Sequence, residues 1–271
     1  MVSSVQTSIR KRGILVTREE KISQIAQWVK ESRNIVAFTG AGISTESGIP
    51  DFRSPGGIWE KFDPSDFTFQ KFTRDRGSRK ILWDFFQNAY EMFSKAQPNA
   101  AHLALAELEK MNKLNALITQ NIDSLHQKAG NSQEIIIELH GNMERVVCLE
   151  CGRYLENEHI LNRLLQGEDV PDCDDCSGII KPDAIFFGEP MPMDEMNRAH
   201  QSVSSCDLCF SIGSSLVVYP AAGFPLMAKR QGGRLVIINR EPTSADPYAD
   251  LVIHDSAGIT MAEIMRLVQA R

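Results

Sequence analysis

The stretch from Ile35 to Arg53 constrains the fold more than any other part of the chain, because a short apolar run ends there in glycines and polar residues. A buried strand leading into a tight turn at Gly40 and Gly42 is typical of a phosphate-binding loop, in which backbone N–H groups approach a pyrophosphate without an intervening Cβ. A helix after the turn would add a favourable dipole. Thr45 stands where the dinucleotide fingerprint has its third glycine, so a plain structural turn stays open as the alternative.

Apolar segments of strand length alternate with amphipathic helical segments along the chain. The helical patterns cover residues 19–32, 99–111 and 259–269. The strand patterns cover residues 35–38, 116–118, 135–139, 208–212, 235–238 and 251–253. Because apolar strands separated by helices favour a parallel sheet covered on both faces, the sequence predicts an α/β fold with a doubly wound parallel sheet.

Two insertions interrupt this alternation. Residues 56–97 are rich in aromatic side chains and mostly helical in pattern. Residues 147–180 carry four cysteines and few large apolar side chains, so we expect a small core there and a bound metal that organises it.

The four cysteines of the second insertion form two Cys-x-x-Cys pairs, Cys148 with Cys151 and Cys173 with Cys176. Two such pairs suit a tetrahedral zinc site with four thiolates, which leaves no open position for water and is therefore structural. Disulfides are the competing interpretation, and the length of the chain and the lack of a secretory segment disfavour them.

Cys206 and Cys209 lie in the pattern of a buried strand. Residues three apart in a strand point to opposite faces, so these two side chains cannot converge on one ion. We expect both to be buried structural cysteines.

The charge balance limits the possible partners. The 271 residues include 29 Lys and Arg against 35 Asp and Glu, a formal net charge of −6, which disfavours a constitutive nucleic-acid binder. The first twelve residues lack the apolar core of a signal peptide, and no apolar run is long enough to cross a bilayer. The sequence therefore predicts a protein of the reducing cytoplasm with no membrane or direct nucleic-acid partner.

Polar residues follow three of the predicted strands, at the edge where open α/β sheets bind ligands. These are the segments Gln120–Asp123, His140–Asn142 and Gly213–Ser215. His140 is a candidate general base because its ordinary pKa lies near neutrality, and a capping or core histidine is the alternative. The other five histidines fall in helical or surface patterns, where we expect packing or solvent contact.

Taken together, these motifs resemble the sirtuins, a family of NAD-dependent protein-lysine deacylases. The resemblance spans about residues 20–265 and also includes Gly48–Arg53, Thr119–Asp123, Leu139–Asn142 and Pro182–Glu189. It implies a Rossmann-like domain formed by residues 20–55, 98–146 and 181–271. It also implies a smaller domain made of the helical insertion 56–97 and the zinc-binding module 147–180, and a monomeric chain.

The resemblance implies a reaction in which the acyl-lysine oxygen attacks C1′ of the nicotinamide ribose of NAD, nicotinamide leaves, and O-acyl-ADP-ribose and free lysine are formed. His140 matches the general base of the family, and Asn121 matches a group near the ribose and a bound water. The NAD contacts implied are Gly40, Ala41, Gly42, Phe52, Arg53, Gln120, Asn121, Ile122, Asp123, Gly213, Ser214 and Asn239. The substrate contacts implied, with the substrate backbone added as a strand, are Phe187, Gly188, Val217 and Tyr219.

The expected substrate is an acyl-lysine protein or peptide. Family members that favour succinyl or malonyl groups carry a Tyr-x-x-Arg pair that residues 81–90 lack, so we expect an uncharged acyl group. A mono-ADP-ribosyltransferase using the same site is the alternative enzyme, and a non-catalytic NAD sensor is disfavoured because His140 and the Asn-Ile-Asp run are intact. A dehydrogenase is disfavoured because no acidic residue clearly ends a strand about 20 positions after the glycine turn.

Overall fold

The computed structural model of the chain describes residues 16–60 and 62–270. Within those residues, no helix combines the length and the apolar character needed to cross a membrane. The stretch Met1–Arg12, from which the sequence predicts the lack of a signal peptide, lies outside the described residues.

Helices and strands alternate over most of the described chain. The strands are β1 Ile35–Thr39, β2 Leu114–Thr119, β3 Ile136–Glu138, β4 Gly141–Cys148, β5 Tyr154–Glu156, β6 Ile180–Ala184, β7 Leu208–Ile212, β8 Arg234–Ile238 and β9 Leu251–Ile253. The helices are α1 Arg18–Glu31, α2 Phe69–Arg74, α3 Arg76–Lys95, α4 Ala100–Lys110, α5 Leu125–Ala129, α6 Asn157–Leu165, α7 Met193–Ser205, α8 Phe224–Arg230 and α9 Ala257–Gln269.

Six strands form a parallel sheet in the order β3-β2-β1-β7-β8-β9. Counted along the sheet, this is the 3-2-1-4-5-6 order of a doubly wound Rossmann fold, so the prediction of fold class is confirmed. The strand order reverses between β1 and β7, and ligands of such sheets bind beyond the carboxyl ends of the strands at that point. The topology therefore places a ligand site next to the loops that follow β1 and β7.

Helices cover both faces of this sheet. The apolar sides of α1, α4 and α9 form one core with the sheet, and those of α7 and α8 form another on the opposite face. Helix α1 illustrates why these segments are helical, since Ile22, Ile25 and Val29 repeat at helical spacing and are buried. A capping box between Thr17 and Glu20 fixes its first turn. Burial of each such side chain contributes about 1.5–3 kcal/mol to stability.

The second sheet is antiparallel, in the order β5-β4-β6. Together with α2, α3 and α6 it forms what we call the small lobe. The expectation that residues 147–180 supply little core is wrong, because Trp83 and Phe86 of α3 pack with Leu155, Ile160 and other side chains of this segment in one buried cluster. The helical insertion thus adds its apolar side chains to those that the cysteine-bearing segment itself contributes.

Two strands of the small lobe cross the predicted domain limits. Strand β4 continues through residues 146 and 147, and β6 begins at residue 180 and ends at 184. The division into domains stays a prediction.

Candidate active site

A cavity of about 960 Å³ is lined by residues from the carboxyl edge of the parallel sheet and from the small lobe. Its volume falls at the upper end of the range of about 300–1,000 Å³ common for ligand sites. All of the predicted NAD residues, His140, and three of the four predicted substrate residues line it. Val217 does not line the cavity, and its side chain is exposed.

The glycine loop, residues 40–44, packs directly against the loop after β7. Gly213 has φ +63°, and a Cβ there would lie 2.1 Å from the backbone nitrogen of Ile43. The N–H of Gly40 donates to the carbonyl oxygen of Ile212 at 3.1 Å, and the N–H of Gly42 donates to that of Gly213 at 2.7 Å. These glycines therefore allow two loops to meet, and their own N–H groups are used within the protein and are not free to bind a phosphate.

The segment after the glycine turn also differs from the expectation. It consists of two 3-10 turns of three residues each, Ala41–Ile43 and Thr45–Ser47. The expected helix dipole is absent from this position in the described chain, because peptide dipoles add up only along a continuous helix.

His140 follows β3 and reaches the cavity next to the segment after β2. Its Nδ1 lies 3.1 Å from the carbonyl oxygen of Gln120. A carbonyl oxygen can only accept, so in the neutral ring Nδ1 carries the proton and Nε2 presents a free lone pair. Burial lowers the pKa of His140, while the hydrogen bond to Gln120 opposes that shift. The ring is therefore neutral at pH 7 and suited to accept a proton.

Asp123 is buried in the segment after β2, and each of its carboxylate oxygens accepts one hydrogen bond. One oxygen accepts from the Ser44 hydroxyl at 2.6 Å and the other accepts from the backbone N–H of Leu125 at 3.0 Å. Burial raises the pKa of the Asp123 carboxyl, and these hydrogen bonds act against the shift. Ser44 was not among the predicted site residues; its place directly after the glycine turn is the signal that could have identified it.

Asn121 and Gln120 are oriented by the glycine loop and by the loop after β7. The side-chain nitrogen of Asn121 donates to the Gly40 carbonyl oxygen and to the Ser44 hydroxyl, both at 3.2 Å. The side-chain nitrogen of Gln120 donates to the Ser214 hydroxyl at 2.8 Å. Three strand ends that are distant in sequence are thereby joined in one hydrogen-bonded group.

Two further predicted NAD residues lie near the cavity walls. Arg53 is exposed, and its backbone N–H donates to the Asp51 carboxylate at 2.8 Å. Asn239 follows β8, and its side-chain nitrogen donates to the carbonyl oxygen of Glu241 at 2.7 Å.

Aromatic rings connect the predicted NAD residues with the predicted substrate residues. The ring centroids of Phe52 and Trp59 lie 5.2 Å apart, and those of Trp59 and Phe187 lie 6.0 Å apart. Trp59 was not singled out from the sequence, because aromatic residues in a helical insertion are as compatible with core packing as with a site.

The backbone of Phe187 is already paired inside the protein. Its N–H donates to the carbonyl oxygen of Phe67 at 3.1 Å, and its carbonyl oxygen accepts from the N–H of Phe69 at 2.9 Å. The backbone of Phe187 itself is therefore not free for a substrate strand, and the substrate-binding assignment of this segment stays a prediction. Among the described residues, the N–H groups of Gly188, which lines the cavity, and of Val217, which does not, have no hydrogen-bond partner.

The four cysteines of the two Cys-x-x-Cys pairs form a compact cluster in the small lobe, with all four sulfur atoms within 4.8 Å of one another. The Sγ atoms of Cys148 and Cys176 lie 3.5 Å apart and those of Cys151 and Cys173 lie 3.8 Å apart. These separations exceed a disulfide bond and match the roughly 3.8 Å between ligands of a tetrahedral zinc with 2.3 Å Zn–S bonds. The donor set therefore fits a structural zinc ion.

The remaining two cysteines lie apart from this cluster, in and next to β7. Both are buried, and burial raises the pKa of the Cys206 thiol to about 11 and that of Cys209 well above its ordinary value. Their placement agrees with the expected structural role.

These features define an α/β protein with two parts. One part is a doubly wound parallel sheet whose carboxyl edge lines a cavity large enough for a nucleotide, and the other is a small lobe with a four-cysteine cluster suited to zinc. A family model described as the Sir2 family matches residues 40–220. An NAD-dependent protein deacetylase of Thermodesulfovibrio yellowstonii is 46% identical over 255 residues, which cover 94% of this chain and 98% of that protein. An NAD-dependent protein deacylase of Pyrococcus abyssi is 40% identical over 255 residues, which cover 92% of this chain and 100% of that protein. The chain belongs to the Sir2 family, the sirtuins.

Solved structures of the family share the fold. A Sir2 complex with a p53 peptide and NAD+ superposes with a TM-score of 0.82 at 40% identity and covers 90% of this chain and 96% of that chain. A Sir2Tm structure bound to a propionylated peptide gives a TM-score of 0.81 at 39% identity, covering 91% and 98%.

Proposed function

We propose that this protein is an NAD-dependent protein-lysine deacylase, which transfers an uncharged acyl group from lysine to ADP-ribose and releases nicotinamide and O-acyl-ADP-ribose. The observation that carries the proposal is the ring of His140, whose Nδ1 is bonded to the Gln120 carbonyl oxygen so that Nε2 is free to accept a proton at the cavity wall. Bound NAD supplies the ribosyl group that receives the acyl group and the nicotinamide that leaves.

The residues after β2 bind and orient the nicotinamide ribose in this proposal. His140 Nε2 takes a proton from a ribose hydroxyl and thereby makes it a nucleophile. Asn121, whose amide nitrogen is held by Gly40 and Ser44, turns its oxygen toward the ribose and a bound water. Asp123 and the backbone of Ile122 hold the nicotinamide carboxamide, and Phe52 excludes water from the reacting ribose.

The acyl-lysine peptide binds along the opposite wall. The open N–H groups of Gly188 and Val217 are suited to backbone pairing with an extended peptide, a mode that accepts varied sequences. The side chains of Phe187 and Tyr219 are exposed beside it and supply apolar contact.

The part of the cavity wall formed by α3 favours an uncharged acyl group as the substrate. The α3 residues that line the cavity are Leu82, Phe85, Phe86 and Phe93, and none of them carries a charge. Burial of a terminal carboxylate against such a surface would be strongly unfavourable.

Several broader features complete the proposal. The four-cysteine cluster binds one structural zinc ion, since a site with four thiolates has no open position for catalysis. We also infer a monomeric cytoplasmic protein with the domain division predicted from the sequence; the formal charge of −6 supports the absence of a nucleic-acid partner.

Product analysis tests the proposed function. The purified protein is incubated with NAD and acetyl-lysine or propionyl-lysine peptide, and free lysine peptide, nicotinamide and O-acyl-ADP-ribose are quantified together by mass spectrometry. We expect the three products in equal amounts. Nicotinamide accompanied by ADP-ribosylated protein, with the acyl-lysine intact, would instead establish an ADP-ribosyltransferase.

A further inference from the structure

A buried histidine lies behind the cavity and is connected to it through two threonines. His126 of α5 is 2% exposed, and its Nε2 lies 3.0 Å from the Thr39 hydroxyl oxygen. The Thr39 hydroxyl lies 2.9 Å from that of Thr119, its register partner on β2. The Thr119 oxygen also accepts from the backbone N–H of Asn121 at 3.0 Å. A continuous chain of hydrogen bonds thus runs from His126 to a residue of the cavity wall.

A second buried histidine, His102, lies beside His126. The backbone N–H of Asn99 donates to Nδ1 of His102 at 3.3 Å, so a neutral His102 carries its proton on Nε2. Within the described residues, Nε2 of His102 and Nδ1 of His126 have no hydrogen-bond partner, and the two ring centroids are 5.0 Å apart. No hydrogen bond joins these two nitrogens, so they do not set the direction of the chain.

Both rings are neutral at pH 7, because burial lowers the pKa of His102 to about 4 and that of His126 well below its ordinary value. The Thr39 hydroxyl donates its one proton to Thr119, so it can only accept from His126. The neutral ring of His126 therefore carries its proton on Nε2 and donates to Thr39.

We propose that His126 is a positioning residue for the reaction, which acts through Thr39 and Thr119 to fix Asn121 in the cavity. This inference rests on the proposed function, since Asn121 is assigned there to the ribose. When Nε2–H is lost, the Thr39 hydroxyl loses its donor and the hydroxyl pair can reorient. The anchor of the Asn121 backbone is thereby loosened, while the peptide-binding residues are untouched.

Steady-state kinetics of single variants test the chain of hydrogen bonds. We expect His126→Leu and Thr39→Val each to lower kcat by about 10- to 100-fold, because a small displacement of a reacting group has effects of this size. The KM for the acyl-lysine peptide should change less than about twofold. His126→Gln, whose amide can still donate to Thr39, should restore kcat to within about threefold of the unaltered protein.

A matched control separates the effect of breaking this chain of hydrogen bonds from the effect of losing any buried hydroxyl group. Thr260 on α9 is as fully buried as Thr39, at 0% exposed, and its hydroxyl has no hydrogen-bond partner in the described residues. We expect Thr260→Val to leave kcat unchanged. The double variant His126→Leu/Thr39→Val should be no slower than the slower single variant, because both changes break one chain. Additive losses, or an equal loss in Thr260→Val, would overturn the proposal.

The tautomer of His126 provides a test that does not depend on turnover. Nitrogen-15 NMR, with the signal assigned by its absence in His126→Gln, should report a neutral ring protonated at Nε2. A ring protonated at Nδ1 would overturn the direction of the chain even in an active enzyme. If the unaltered protein shows no deacylation but the expected tautomer, the proposed function fails and the hydrogen-bonded chain stands.

Discussion

The two walls of the cavity are ordered in different ways. The carboxyl edge of the parallel sheet is fixed by strands buried on both faces, and its polar side chains are held by hydrogen bonds such as that from Gln120 to Ser214. The small lobe is ordered by the aromatic residues of α3 and by a cluster of four thiols. Groups that must keep an accurate geometry lie where the backbone is most constrained, whereas the small lobe depends on a metal that can be removed.

The largest effect is expected at the sheet edge. His140→Ala should lower kcat by about 10²- to 10⁴-fold, the usual contribution of a general base. Because the ring lines the cavity and is only partly buried, the melting temperature and the Kd for NAD should change little. Product formation, calorimetry and NAD titration measure the three quantities. Retained turnover in the folded variant would remove His140 from the mechanism.

The second-largest effect is expected in the small lobe and concerns its zinc content and stability. Cys173→Ser should lose zinc and several kcal/mol of stability, since a structural zinc contributes directly to folding. Cys209→Ser is the matched control, because Cys209 is buried in β7 outside the cluster. Metal analysis and denaturant unfolding of both variants make the comparison. A full zinc content in Cys173→Ser would contradict the four-thiolate site.

A smaller effect is expected where two loops meet at the sheet edge. Gly213→Ala introduces a Cβ 2.1 Å from the nitrogen of Ile43 and should raise the Kd for NAD at least about tenfold. Gly48→Ala has a similar positive φ, +87°, with nothing within 4 Å of the added Cβ. It should cost only the strain of the left-handed conformation, about 1–2 kcal/mol of stability. Equal NAD affinities in the two variants would argue against the loop contact as a requirement for binding.

The smallest effect is the pH dependence of turnover. Only neutral His140 can accept a proton, and burial lowers its pKa below the ordinary value of 6.5. kcat should therefore be constant between pH 7 and 8 and should fall as the pH drops through that lowered pKa. A rate profile at saturating NAD and peptide, with circular dichroism as a check on folding, measures it. A decline that begins above pH 7 would mean that another group controls the rate.

The sequence predicted much of the parallel sheet because periodicity is a local property. The strands Leu208–Ile212 and Leu251–Ile253 have the predicted bounds. The bounds of most other predicted strands and helices differ from the observed ones by one to three residues. The core of the small lobe was underestimated because the apolar side chains of residues 147–180 are completed by those of α3, some 70 residues earlier in the chain. A composition count over one segment cannot include side chains that reach it only in three dimensions.

The sequence by itself determined the six strands of the parallel sheet, the four cysteines with the spacing of metal ligands and the polar residues that follow the strands, because each is encoded in neighbouring residues. Only the tertiary structure decided that the N–H groups of Gly40 and Gly42 are used within the protein, that Phe187 is paired with residues 67–69, and that His126 is connected to Asn121. These are contacts between segments distant in the chain. Hydrogen bonds of this kind depend on the distances and directions of atoms that only the folded backbone brings together.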